Sequence, residues 1–202
     1  MKFAEFYQKH FKDVRGDFLL LAKEGYFRMK KSIDPIHDHL HAERLFGLLD
    51  KFLVMHKKIK NKLDVKVVFL AICWHDTWKA ERNLKSVLEI IYGQAAEGIG
   101  ASKIFEKEAK KYALDKDLIK NVSYVIRKHN TVQFVKRKTL ESKIFKDIDK
   151  LDSIHLERFE KSGNRKLTKF YIAKISKDKA YFSWTREMLK EERKRFLENF
   201  KV

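Results

Sequence analysis

Proline and glycine are scarce in this chain: one Pro and seven Gly among 202 residues, about 4% where ordinary usage gives roughly 12%. Strand-rich sandwiches and barrels need frequent turn residues, so the shortage points to an all-α chain. Apolar residues make up 44% and aromatics 13%, enough to fill a core of its own without disulfides or metals as staples. The expectation is one domain over 1–202, a bundle of about eight helices.

Hydrophobic periodicity places the elements. Asp34-Pro35-Ile36 reads as a helix start, with Asp34 as cap and Pro35 at the first helical position, followed by the stripe His41, Leu45, Leu48, Phe52. Residues 64–76 are almost continuously apolar and too long for an ordinary strand, which predicts a buried helix ending at Trp74-His75-Asp76. Further helices are expected over about 83–92, 94–113, 115–129, 140–156 and 180–200, and Ser162-Gly163-Asn164 is the clearest turn. The aromatic stretch Tyr181-Phe182-Ser183-Trp184 is read as a cap on the core.

Charge and cysteine usage bound the setting. Lys and Arg outnumber Asp and Glu by 46 to 28, a formal +18, but the lysines are spread along the whole length without a recognition motif, as solvated helix faces are. Such a field still attracts phosphorylated ligands. A single cysteine, Cys73, rules out a disulfide within one copy and fits a reducing compartment. The opening residues lack the apolar core of a signal peptide, and no stretch reaches the ~20 apolar residues that span a bilayer. A cytoplasmic protein without membrane contact, monomeric or homodimeric, is the expectation.

Several polar groups are pushed toward the core by the pattern around them. His41 sits on an apolar stripe; His75 and Asp76 end the most apolar helix; Asp147, Asp149 and Asp152 lie beside the stripe Ile144, Ile148, Leu151. Each is costly to bury unless partnered. Taken singly, each is ordinarily a hydrogen-bonded core residue or a cap. Together, two imidazoles and two carboxylates carry −2, the ligand set and charge that suit one divalent cation. Helical geometry alone leaves Asp147 and Asp149 as alternatives, since both stand about 100° from Ile148.

Asp38-His39-Leu40-His41-Ala42-Glu43-Arg44-Leu45, then Leu70-Ala71-Ile72-Cys73-Trp74-His75-Asp76-Thr77-Trp78-Lys79, then Phe145-Lys146-Asp147-Ile148-Asp149-Lys150-Leu151-Asp152 resemble, in order, the motifs of the HD superfamily of metal-dependent phosphohydrolases. The match covers roughly 36–155, with helices over 165–200 expected to pack on that core. The resemblance implies His41, His75, Asp76 and Asp149 as ligands of one divalent ion, which could be Mn, Fe, Co, Ni, Zn or Mg. It implies Asp76 as a catalytic residue and His129 beside the substrate; Lys79, also read as catalytic, Arg44, Lys150 and Glu97 are placed around the metal as phosphate-handling or pocket residues, and His37, which shares a helix face with His41 at i, i+4, is a rival ligand read as facing the substrate. The implied activity is hydrolysis of a phosphate ester, mono- or diester, of a nucleotide or small phosphorylated metabolite. Lys79 stands where some members acting on nucleoside monophosphates carry an acid. The alternative is a basic helical module that binds nucleic acid or a protein partner, with a structural or vestigial metal site.

Overall fold

A computed structural model describes residues 1–34, 36–82, 87–129, 136–155, 157–158 and 180–200. The described residues form helices and connecting turns, without strands: α1 (Phe3–Phe11), α2 (Asp17–Lys30), α3 (His39–Met55), the single turn α4 (Lys57–Lys60), α5 (Val65–Trp74), the single turn α6 (Thr77–Ala80), α7 (Val87–Ala109), α8 (Lys116–Lys128), α9 (Leu140–Ser153) and α10 (Ser183–Phe200).

The predicted apolar helix is the axis of the bundle. Asp64 caps α5 by accepting from the backbone N–H groups of Lys66 and Val67 at 3.0 and 3.3 Å, and every residue from Val67 to Trp74 is buried. Helices α2, α3, α7, α8 and α9 all pack on it. On one side Phe69 is the hub of an aromatic cluster, with the rings of Phe6, Phe11 and Phe46 centred 5.5, 5.1 and 5.3 Å away. Burying each such side chain contributes on the order of 1.5–3 kcal/mol, which fastens α1, a helix the periodicity reading did not pick out, to the core. On the other side Trp74 donates from Nε1 to the Leu21 carbonyl at 3.0 Å, satisfying the indole inside the α2–α5 contact.

Three sequence expectations need correction. The helix expected from Asp34 begins four residues later: Asp38 is its cap, accepting from the His41 N–H at 3.0 Å. Asp34 instead closes a turn, with its carboxylate taken by the N–H groups of Ile36 and His37 at 2.8 and 3.2 Å. The two helices expected over 83–92 and 94–113 are a single α7, whose glycines serve packing and leave it unbroken. At Gly98 a Cβ would lie 2.7 Å from the Arg127 carbonyl of α8, so only glycine lets the two helices approach this closely. Lastly, α9 stops at Ser153, short of 156.

The stripe Thr185, Leu189, Phe196 of α10 is buried, and α10 packs on α9. Phe182 and Trp184 meet Phe52 edge-on at 5.0 and 5.7 Å, closing the core as expected, while Tyr181 stays exposed. The turn at Ser162-Gly163-Asn164 and most of the span from 165 to the start of α10 lie outside the described residues. No helix among the described residues is long and apolar enough to cross a membrane.

Gly25 offers a test of the α2–α5 contact. A Cβ there would fall 2.5 to 2.7 Å from three atoms of the buried Trp74 indole. In an open helix, Gly→Ala gains up to about 1 kcal/mol. Here Gly25→Ala is expected to lose roughly 1–3 kcal/mol through overpacking, read as a lower urea midpoint. An unchanged or raised midpoint would show that the indole can yield.

Candidate metal centre

Four helix ends and the flank of a fifth helix deliver the polar groups. His41 lies in the first turn of α3, held by the Asp38 cap; His75 is the residue after α5, and Asp76 precedes α6, so the two occupy the corner between those elements. His129 follows α8, and α9 brings Asp149 and Asp152. A helix end directs successive side chains toward one point, which lets adjacent His75 and Asp76 face the same centre. All of these but Asp149 are almost completely buried.

The His41 and His75 Nε2 atoms stand 2.9 Å apart. Asp76 Oδ2 is 3.1 Å from His75 Nε2 and 3.4 Å from His41 Nε2, and Asp149 Oδ1 is 3.6 Å from His41 Nε2. Donor atoms sharing one ion at about 2.0–2.2 Å lie roughly 3.0–3.5 Å from one another in tetrahedral or octahedral arrangements. His41, His75 and Asp76 make a compact ligand-capable trio, with Asp149 beside it.

Proton placement sharpens the case. His75 Nδ1 faces the Ile72 carbonyl at 3.0 Å, and His129 Nδ1 faces the Ile126 carbonyl at 2.6 Å. His41 Nδ1 faces Asp152 Oδ2 at 2.6 Å. A carbonyl or carboxylate oxygen can only accept, so each Nδ1 carries a hydrogen, and a ring in its neutral form turns its lone pair inward at Nε2. The buried Asp76 Oδ2 receives no hydrogen bond. With the rings neutral, two lone pairs and a carboxylate oxygen converge, an arrangement that repels itself unless a proton on His75 Nε2 or a metal cation joins it.

Electrostatics follows from this crowding. Burial pulls the His41 pKa down, aided by the Arg158 guanidinium and opposed by Asp152. Burial also opposes ionisation of Asp76, yet His75, His37 and His41, through their protonated forms, hold its carboxyl well below the usual range. The Asp76, Asp149 and Glu97 charges outweigh burial at His75 and lift its pKa. Asp152 is buried as well, and His41, Arg44 and Arg158 keep it ionised far below the ordinary carboxylate range.

Asp152 organises the outer layer. Its carboxylate takes His41 Nδ1–H, the Arg44 guanidinium through Nε and Nη2, and Arg158 Nη1 at 3.2 Å. Arg44, expected near the substrate, is turned to this carboxylate and to Glu157 at 3.4 Å. Asp147 is drawn away: its oxygens accept the Tyr181 and Phe182 N–H groups at 3.0 and 2.9 Å, tying the approach to α10 onto α9. Asp149 thus faces the centre and Asp147 does not, a distinction invisible to helical periodicity.

Lys79 is buried, with Nζ 2.9 Å from Glu97 Oε2 and 3.3 Å from His37 Nε2. His129 Nε2 lies 3.6 Å from Glu97 Oε1 and 3.8 Å from Asp76 Oδ1. His37, Lys79, Glu97 and His129 therefore do gather beside the trio. Lys150 is half-buried on α9, and its charge bears on Lys146 and Asp147. The sequence reading left out three contributors: Asp152 as the partner of His41, Arg158, and Lys146, whose Nζ is 3.9 Å from Asp149 Oδ2 and whose pKa burial lowers to about 8. Asp152, three residues after Asp149 and next to Leu151 on the apolar stripe, had a signal in the sequence. Arg158, one basic residue among 46, had none.

No protein-family model, curated protein or solved structure matches the chain.

Asp152→Asn would leave the shape nearly unchanged but remove the charge that holds His41 Nδ1–H. Metal affinity is expected to fall about 10–100-fold, measured by competition with a chromophoric chelator. An unchanged affinity would mean that Asp152 does not orient a ligand.

Proposed function

We propose that the chain is a metal-dependent phosphohydrolase acting on a phosphate ester, with His41, His75, Asp76 and Asp149 holding one divalent cation. The observation that carries this reading is the buried, unpartnered Asp76 Oδ2 facing two inward imidazole lone pairs. The donor set fits: two neutral imidazoles and two carboxylates balance the charge of a divalent ion, and their mixture of nitrogen and oxygen suits Mn, Fe, Co, Ni or Zn, with Mg less favoured. A bound ion of this kind supplies Lewis acidity and lowers the pKa of a coordinated water.

The chain's own groups supply the rest. Asp76 presents a carboxylate oxygen that can accept a proton from the attacking water. Lys79 brings a buried ammonium, held by Glu97 and His37, to charge that builds on phosphoryl oxygens. His129, fixed by the Ile126 carbonyl, offers Nε2 as a proton relay on the Glu97 side of Asp76. Asp152 and the Ile72 carbonyl keep His41 and His75 in the tautomer that ligates. The positive overall charge favours approach of an anionic substrate such as a nucleotide or small phosphorylated metabolite. The buried, unpaired Cys73 supports placing the protein in the cytoplasm.

Loading the purified chain with Mn²⁺, Co²⁺, Ni²⁺ or Zn²⁺ and counting bound metal is the direct test, followed by a panel of phosphorylated metabolites. One equivalent is expected, with a thermal midpoint that rises with free metal, since about 100 times the Kd adds roughly 2.7 kcal/mol. The double variant His75→Ala/Asp76→Ala is expected to lose both the bound metal and all turnover. Full activity in that variant would end the proposal. Salt-sensitive nucleic-acid binding without hydrolysis under any metal would instead favour a basic binding module.

A further inference from the structure

Beside the trio, two cations converge on one neutral atom. His37 Nδ1 faces Asp34 Oδ2 at 2.9 Å and donates to it, so His37 Nε2 bears a lone pair. Lys79 Nζ approaches that nitrogen at 3.3 Å and Arg158 Nη2 at 3.2 Å. Each cation also has an anionic anchor, Glu97 for Lys79 at 2.9 Å and Asp152 for Arg158 at 3.2 Å. The anchors fix position; the imidazole is a weak, uncharged acceptor that a charged oxygen would outcompete. A His37 ring nitrogen also lies within 4.8 Å of an Asp76 oxygen and a Glu97 oxygen, close enough for one phosphoryl group to reach both the metal ligands and the cation pair.

We infer, on the basis of the phosphohydrolase reading above, that Lys79 and Arg158 form a seat for a terminal, dianionic phosphoryl group, so that this site takes phosphomonoesters in preference to diesters. Oxygen count gives the reason. The metal, Lys79 and Arg158 are three cationic partners, and a monoester has three terminal oxygens to give them. A diester has two and carries one negative charge, leaving one cation with the weak imidazole contact, beside its anchor, where a phosphoryl oxygen would otherwise sit. Arg158 is thereby a substrate-binding residue contributed from beyond α9, and its planar guanidinium can hold Asp152 through Nη1 while offering Nη2 to the ligand.

Calorimetric titration of the Mn²⁺-loaded full chain with orthophosphate and, separately, dimethyl phosphate at pH 8 reads this out without turnover. Orthophosphate is expected to bind at least about tenfold tighter, the scale of one charge-assisted hydrogen bond. In Arg158→Ala the preference should collapse while one equivalent of metal is retained, and Arg158→Lys should restore part of it. Equal affinity for the two anions, or a preference untouched in Arg158→Ala, overturns the seat. Should Arg158→Ala shed its metal through the Asp152 contact, Arg158→Lys decides; loss of metal from both makes Arg158 a purely structural residue and also overturns it. Absence of metal from the unmodified chain would instead sink the phosphohydrolase reading, whereas bound metal with no anion preference sinks only the seat.

Discussion

Bringing an ionised carboxylate and two imidazoles into a dry interior is the constraint on which the rest depends. Removal from water costs each group several kcal/mol, recovered only through close partners of opposite charge or well-placed donors. The bundle answers in layers. His41, His75 and Asp76 face one another; Asp152 and two backbone carbonyls hold the far nitrogens of His41, His75 and His129; Arg44 and Arg158 neutralise Asp152. At the centre the pairing is incomplete, at Asp76 Oδ2. An interior that leaves the middle short of positive charge could hold a cation there.

The scaffold explains why such a centre can be held rigidly. Helix α5 is buried along nearly its whole length and touched by five other helices, so the corner after it has little freedom. Close packing of this kind transmits small volume changes directly to the side chains at that corner. The aromatic cluster packs around Phe69, midway along the same helix that presents His75 at its C-terminal end. Core packing and site geometry are in this sense the same object, and damage to the α2–α5 contact is felt at the site.

Much of this was legible in the chain. A run such as Val67 to Trp74 can hardly be anything but a buried helix, and the dipeptide after it must then sit at a buried helix end. The placing of His41 on the apolar face followed from a spacing of four to Leu45. Errors fell where two sequence signals compete locally. Asp34 and Asp38 are both good caps, and which carboxylate closes a turn and which opens the helix depends on where the chain enters the bundle. Gly93, at the junction of the two expected helices, lies within α7, and at Gly98 and Gly100 the lack of a side chain allows close approach to the Arg127 carbonyl and to the Trp78 ring.

The sequence by itself determined that the chain is helical, which faces are apolar and which polar residues those faces carry inward, because these properties follow from local propensity and a 3.6-residue period. The tertiary structure alone decided which of them meet. Asp147 and Asp149 are equivalent by periodicity, and they part because the backbone leading into α10 draws one away while the other is left beside His41. Arg158 joins His37 and His41 from more than a hundred residues away. No local rule reaches across such a separation, because convergence there is set by how helices pack and by the demand that every buried charge find an opposite.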